Sequence, residues 1–244
     1  MQTKLSIIAH RGFSSKAPEN TMSAFEQAFK LGVDAIELDI HLTADQKLVA
    51  IHDDTLERTT SGKGSVRSCS SIYVKNLDAG SWFDEKYAAE KVPMLADVID
   101  WAKGRIKLLI EIKGKLEQDA GLPKLLINTI RQFKAEEWCE IQSFDKGFLI
   151  NAFSLAPELP YYLLIDEDEK LPTSHEAFLT GVNPSFTSLT PGWIDDIKEA
   201  ERKTFAYTVN NREDMQQMIS MGVDGIITDF PDILKQLKND STKN

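Results

Sequence analysis

The chain has 244 residues, and its 28 Lys and Arg against 38 Asp and Glu give a formal net charge of −10. Hydrophobic residues at 42% and charged residues at 27% are ordinary globular composition and exclude a disordered or fibrous chain. The acidic balance argues against general attraction to nucleic acid or to an anionic membrane surface. It leaves room for an anionic small substrate, because a local cationic pocket overrides the global field. Two cysteines, Cys69 and Cys139, exclude a disulfide framework and a Cys-rich zinc site, and they fit a reducing compartment. The first nine residues hold too short an apolar stretch for a signal peptide. The longest uncharged stretch, 177–194, contains Gly, Asn and two Pro, so no membrane span is expected. A soluble, cytoplasmic protein is the expectation.

Taken in chain order, strand and helix patterns alternate. Residues 5–9 read as a buried strand. Asn20 and Thr21 open a helix with apolar residues at helical spacing, ending at Gly32. Strands follow at 34–40, 47–51, 105–112, 140–144, 160–165, 183–186, 204–209 and 225–228. Helices fill 95–103, 117–136, 146–156, 191–202, 211–221 and 231–237, and the polar end 238–244 is expected to fray. This alternation predicts a parallel sheet covered by helices. Only six residues separate Ile40 from Lys47, too few for a parallel crossover, so 47–51 must return as an antiparallel hairpin. Eight parallel strands remain, the count of a TIM (β/α)8 barrel, which takes about 250 residues. The chain is therefore expected to be one domain, 1–244. Within it, the Ser-, Thr- and Gly-rich stretch 53–92 is an insertion over the barrel's C-terminal face. Apolar helix faces serve core or contact with a second copy equally, so a homo-oligomer stays open.

Barrel active sites sit at the C-terminal ends of the strands. Those ends read His10-Arg11-Gly12, Glu37-Leu38-Asp39, His52-Asp53, Glu111-Ile112-Lys113, Ser143-Phe144, Tyr207-Thr208-Val209-Asn210 and Thr228-Asp229. Glu37 and Asp39 share one strand face, and Glu111 meets them from another strand. Three converging carboxylates repel one another without a cation, and an all-oxygen set suits Mg²⁺, Ca²⁺ or Mn²⁺ rather than zinc. A turn centred on Asp45 places His52 opposite Leu38, beside Glu37 and Asp39. His10 and His52 read as an acid–base pair. His41 is weighed as a further ligand but sits toward the turn, and His175 falls in a loop expected to be exposed. Arg11 and Lys113 add fixed positive charge suited to phosphate oxygens. Together these residues describe a site for breaking a phosphodiester.

The ordered set His10-Arg11-Gly12, Pro18-Glu19-Asn20-Thr21, Glu37-Leu38-Asp39, His52-Asp53, Arg58-Thr59-Thr60, Glu111-Ile112-Lys113, Ser143-Phe144, Thr208-Val209-Asn210 and Thr228-Asp229 resembles the glycerophosphodiester phosphodiesterase family across essentially the whole chain. The resemblance implies a TIM barrel with His10 and His52 as catalytic acid and base. It implies one divalent cation, Mg²⁺ or Ca²⁺, on Glu37, Asp39 and Glu111, with phosphate contacts from Arg11 and Lys113. The implied reaction converts glycerophosphocholine or glycerophosphoethanolamine to glycerol 3-phosphate and an alcohol. The attacking group is either water or the neighbouring glycerol hydroxyl. Alternatives are a lysophospholipase D-type activity and a non-catalytic phosphodiester-binding protein. Glu19 is read either as a partner for a substrate hydroxyl or as a loop hydrogen-bonding residue. Phe144 and Tyr207 either line the glycerol pocket or pack the barrel's upper layer. Tyr207 stands where the family often has Trp, which puts the pocket's shape and polarity at issue.

Overall fold

Short runs rich in Ile, Leu and Val become strands whose residues are nearly all buried, because a parallel sheet is covered on both faces. The computed structural model describes residues 5–167, 171 and 176–241. The strands are β1 (Ser6–Ala9), β2 (Ala35–Leu42), β3 (Leu48–Ala50), β4 (Lys107–Ile112), β5 (Cys139–Ser143), β6 (Tyr161–Ile165), β7 (Gly181–Pro184), β8 (Phe205–Ala206) and β9 (Gly225–Thr228). The helices are α1 (Met22–Leu31), α2 (Ser71–Val74), α3 (Leu95–Ala102), α4 (Leu116–Asp119), α5 (Leu122–Gln132), α6 (Lys146–Leu155), α7 (Pro191–Glu199), α8 (Arg212–Met221) and α9 (Pro231–Ser241). Thr21 caps α1 by accepting from the Ala24 N–H, and Gly32 ends it in the left-handed conformation at φ 75°. Among the described residues no helix is long and apolar enough to cross a membrane.

The sheet runs β7-β6-β5-β4-β2-β1-β9-β8, every neighbouring pair parallel. Bridges Gly181↔Lys203 and Ser185↔Tyr207 bring its two edges together. The expected eight-stranded TIM barrel is therefore present, with β3 paired antiparallel to β2 outside the ring. Its register, Ile40↔Ala50, His41↔Val49 and Leu42↔Leu48, is that of a turn centred on Asp45. Helices α1, α3, α5 and α6 pack the outer core, while Ile8, Ala35, Leu109, Tyr162, Phe205 and Ile227 form a separate cluster inside the barrel. Strand side chains alternate, so the residues two positions on rise one layer toward the C-terminal face. From Ile8, Ala35, Leu109, Phe205 and Ile227 that step reaches His10, Glu37, Glu111, Tyr207 and Asp229.

Four elements depart from the sequence reading. The strand expected at 204–209 shrinks to Phe205–Ala206. Pro184 has no N–H to donate across to it, and the Phe205 N–H turns to the Asn183 Oδ1 instead, at 3.0 Å. The strand expected at 183–186 lies at Gly181–Pro184, with Phe186–Ser188 as a 3₁₀ turn. The single helix expected over 117–136 is two, because Pro123 cannot extend a helix from α4 and instead occupies the first turn of α5. The last helix continues past the expected 237 to Ser241. His175 and residues 242–244 of the expected frayed end lie outside the described residues.

Residues 53–92 carry α2 and 3₁₀ turns at Val66–Ser68 and Glu85–Tyr87. With Val49 and Ile51 of the β3 hairpin, their Leu56, Val66, Val74, Leu77, Ala79 and Val92 form a second apolar cluster. The Tyr87 hydroxyl donates to the Lys16 carbonyl at 2.8 Å, tying the stretch to the loop between β1 and α1. That loop also leans on α1 through Gly12, at φ 82°, where a Cβ would stand 2.7 Å from Ala24 backbone and side chain. Gly12→Ala should therefore destabilise the protein by about 1–3 kcal/mol, read as a lower midpoint in thermal unfolding. An unchanged midpoint would contradict the close approach.

Candidate active site

The parallel register of β2, β4 and β5 sets Asp39 beside Glu111 and Glu111 beside Gln142, while Glu37 lies one pleat below Asp39. Oxygens of Glu37, Asp39 and Glu111 all lie within 4.8 Å of one another, and all three residues are buried. Fixed cations answer them. Lys113 Nζ is 3.1 Å from Asp39 Oδ1 and 2.5 Å from Glu111 Oε1, and Arg11 Nε is 3.2 Å from Asp39 Oδ2. The Arg11 N–H donates to Glu37 at 2.9 Å, Asn20 Nδ2 to Asp39 at 2.8 Å, and Gln142 Nε2 to Glu37 at 3.4 Å. Burial pushes all three carboxyls up. At Asp39 the charges of Lys113 and Arg11 win and hold it well below the usual range. Burial and the neighbouring carboxylates leave Glu37 well above it and Glu111 at about 7. Two cations cannot neutralise three ionised carboxylates. The buried, all-oxygen donor set thus fits a hard divalent cation.

Both histidines are held through Nδ1 by a carboxylate. His10 Nδ1 lies 2.7 Å from Asp229 Oδ1, and Asp229 also accepts from Ser14 Oγ at 2.8 Å and Asn210 Nδ2 at 2.7 Å. Burial raises the Asp229 carboxyl, but these hydrogen bonds outweigh it and pull it down to about 2. His52 Nδ1 lies 2.7 Å from Asp53 Oδ1. Burial lowers the His52 imidazole, with Lys113 and Arg11 adding to the effect against Asp39 and Asp53. Both imidazoles are near enough to Asp39 to act on its charge.

The other residues singled out from the sequence divide. His41 is not gathered with the carboxylates; its Nε2 pairs with the His52 carbonyl at 3.0 Å. Glu19 is engaged by Arg11 at 2.8 Å and by both terminal nitrogens of Arg58 at 2.8 Å each, a loop hydrogen-bonding pattern. Phe144, 44% exposed, meets Tyr207 edge to face with ring centroids 5.9 Å apart. The Tyr207 hydroxyl donates to the Ile165 carbonyl at 2.9 Å, so the Tyr-for-Trp departure engages its added polar atom with backbone. Asn20 does not share in capping α1 but bonds Asp39 on both side-chain atoms. It stands at φ 55°, and Arg11 at φ 54°, left-handed conformations of order 1 kcal/mol each that aim both side chains at the carboxylates. The sequence reading gave no role to Asp229, Asn210, Ser14, Asp53 or Arg58. The strand-end rule that found His10 also applies to Asp229, one residue beyond β9.

Asp229 makes acid stability a direct check. Its unfolded-state value is near 3.8 and its folded one about 2, so its contribution is present above the former and lost as pH falls through the latter. Relative to Asp229→Asn, the wild type should lose about 2 kcal/mol of unfolding free energy between about pH 5 and pH 2. Parallel pH profiles for the two proteins would contradict the bonding around Asp229.

The Glycerophosphoryl diester phosphodiesterase family profile matches residues 10–233. A glycerophosphodiester phosphodiesterase of Caldanaerobacter subterraneus subsp. tengcongensis is 40% identical over 239 residues, covering 96% of this chain and 98% of that protein. Among solved structures, an Oleispira antarctica phosphodiesterase in complex with its product sn-glycerol-3-phosphate superposes with a TM-score of 0.88 at 28% identity, covering 96% of each chain. A glycerophosphodiester phosphodiesterase from Agrobacterium tumefaciens gives 0.82 at 29% identity, covering 94% of this chain and 98% of that one. The barrel, the carboxylate cluster and the full-length match together place this chain in the glycerophosphoryl diester phosphodiesterase family.

Proposed function

We propose that this chain hydrolyses glycerophosphodiesters such as glycerophosphocholine and glycerophosphoethanolamine to glycerol 3-phosphate and the free alcohol. The observation that carries the reading is the pairing of two His–Asp dyads with one buried carboxylate triad at a single end of the barrel. Glu37, Asp39 and Glu111 would hold one Mg²⁺ or Ca²⁺, which when bound polarises a phosphoryl oxygen and neutralises developing charge. Arg11 and Lys113 orient the anionic diester by charge and hydrogen bonding. One of His10 and His52 takes the proton of the attacking oxygen at its Nε2, while the other gives a proton to the departing alkoxide oxygen; where the glycerol hydroxyl rather than water attacks, the product is a cyclic phosphate, which water then opens with the two proton roles reversed. The new P–O bond forms as the P–O bond to the headgroup breaks, so the two imidazoles exchange charge and neither proton is lost to the balance. Asp229 and Asp53 keep each ring oriented throughout. Phe144 and Tyr207, meeting edge to face, offer an apolar corner for the glycerol backbone.

Turnover of glycerophosphocholine should require an added divalent cation and stop with chelator. His10→Ala and His52→Ala should each lower kcat by about 10²–10⁴-fold. Near-wild-type kcat in His10→Ala would overturn the assignment, and faster release of choline from lysophosphatidylcholine than from glycerophosphocholine would overturn the substrate class.

A further inference from the structure

Arg58 lies near the start of the 53–92 stretch, outside the carboxylate triad, and no step of the proposed chemistry uses it. Its guanidinium nevertheless makes four charge-assisted hydrogen bonds. Nε and one terminal nitrogen donate to Asp53 at 2.7 and 2.9 Å, and the two terminal nitrogens donate to Glu19 at 2.8 Å each. Each of these carboxylates has a second partner. Asp53 holds His52 Nδ1 at 2.7 Å, and Glu19 holds Arg11 at 2.8 Å. Arg11 in turn reaches Asp39 at 3.2 Å. A continuous chain therefore runs His52–Asp53–Arg58–Glu19–Arg11–Asp39, and Arg58 is the link that joins its two halves.

A surface ion pair is usually of little consequence, and Arg58 is 44% exposed. Two bidentate contacts on one planar group are different. A fork fixes the plane of each carboxylate as well as its position, and a planar guanidinium fixes the two relative to each other. Asp53 is itself partly exposed, on the loop after β3, and its side chain bonds Arg58 and His52. Without Arg58 it would be free to leave His52, and Glu19 would have only Arg11 to hold. We propose that Arg58 is a positioning residue that sets His52 and Arg11 in one fixed relation, acting through Asp53 and Glu19. This role rests on the proposed function, since it presumes that His52 and Arg11 act on one substrate. Lysine cannot replace Arg58, because a single ammonium cannot fork onto both carboxylates.

The test compares Arg58→Ala and Arg58→Lys with the wild type in the full chain, using glycerophosphocholine, with thermal midpoints recorded for each. Arg58→Ala should lose about 10–100-fold in kcat with a much smaller change in KM, as loss of an orienting partner does. Arg58→Lys should lose a similar factor despite keeping the charge. Millimolar guanidinium chloride should restore part of the Arg58→Ala rate while leaving the wild-type rate unraised, a response that loss of folding would not give. Wild-type kcat in Arg58→Ala would overturn the proposal. So would full activity in Arg58→Lys, which would show that charge alone suffices, and so would a loss in Arg58→Ala that guanidinium fails to restore. A wild type that hydrolyses no glycerophosphodiester would instead refute the functional reading itself, and the positioning role with it.

Discussion

Three buried carboxylates share one end of the barrel with oxygens within 4.8 Å of one another. Buried like charges at that spacing are strongly unfavourable unless cations or protons intervene. Much of the surrounding architecture answers this constraint. Lys113 follows Glu111 by two residues, so the strand that brings in a negative charge brings a positive one up the same face. Arg11 comes from the opposite side, on a loop that accepts left-handed backbone at Arg11 and Asn20 to place both side chains on Asp39. Below, Gln142 donates to Glu37 and is itself held by Asn183 at 3.0 Å, so the triad's underside is hydrogen-bonded through the barrel interior.

The same economy of placement links site and fold. Asn183 bonds Gln142 and accepts the Phe205 N–H, standing in for a ladder bond at the position where Pro184 interrupts the sheet. The seam where the barrel closes is therefore also where its polar interior chain ends. The histidine dyads differ in their surroundings. Asp229 is partly buried and answered by neutral donors from Ser14 and Asn210, whereas Asp53 is answered by the Arg58 guanidinium. The two imidazoles thus sit in electrostatically unequal settings.

Much of this was legible in the sequence, and the parts that were not share a cause. Alternating strand and helix patterns gave the eight parallel strands, and the six residues between Ile40 and Lys47 forced the hairpin, whose register is the one a turn centred on Asp45 implies. Reading strand ends in order found Glu37, Asp39, Glu111, His10, His52, Arg11 and Lys113, because a period of two and the barrel's polarity are local properties. Pairings were out of reach. His10 and Asp229 are 219 residues apart, and Glu19 and Arg58 are 39 apart on different loops. Nothing in either local segment specifies the other. Asn20 looked like a cap because it precedes Thr21, and only the tertiary position of Asp39 gives it a stronger partner. Pro184 was visible, but its effect depends on which strand lies beside it.

The central claim is that the triad exists to hold one divalent cation, and direct binding tests it apart from catalysis. Titrating the protein with Mn²⁺ while following free Mn²⁺ by electron paramagnetic resonance should show one ion bound per chain. Asp39→Asn, which removes the carboxylate that stays ionised, should weaken that binding at least about tenfold. No stoichiometric binding by the wild type, or the same affinity in Asp39→Asn, would contradict the account.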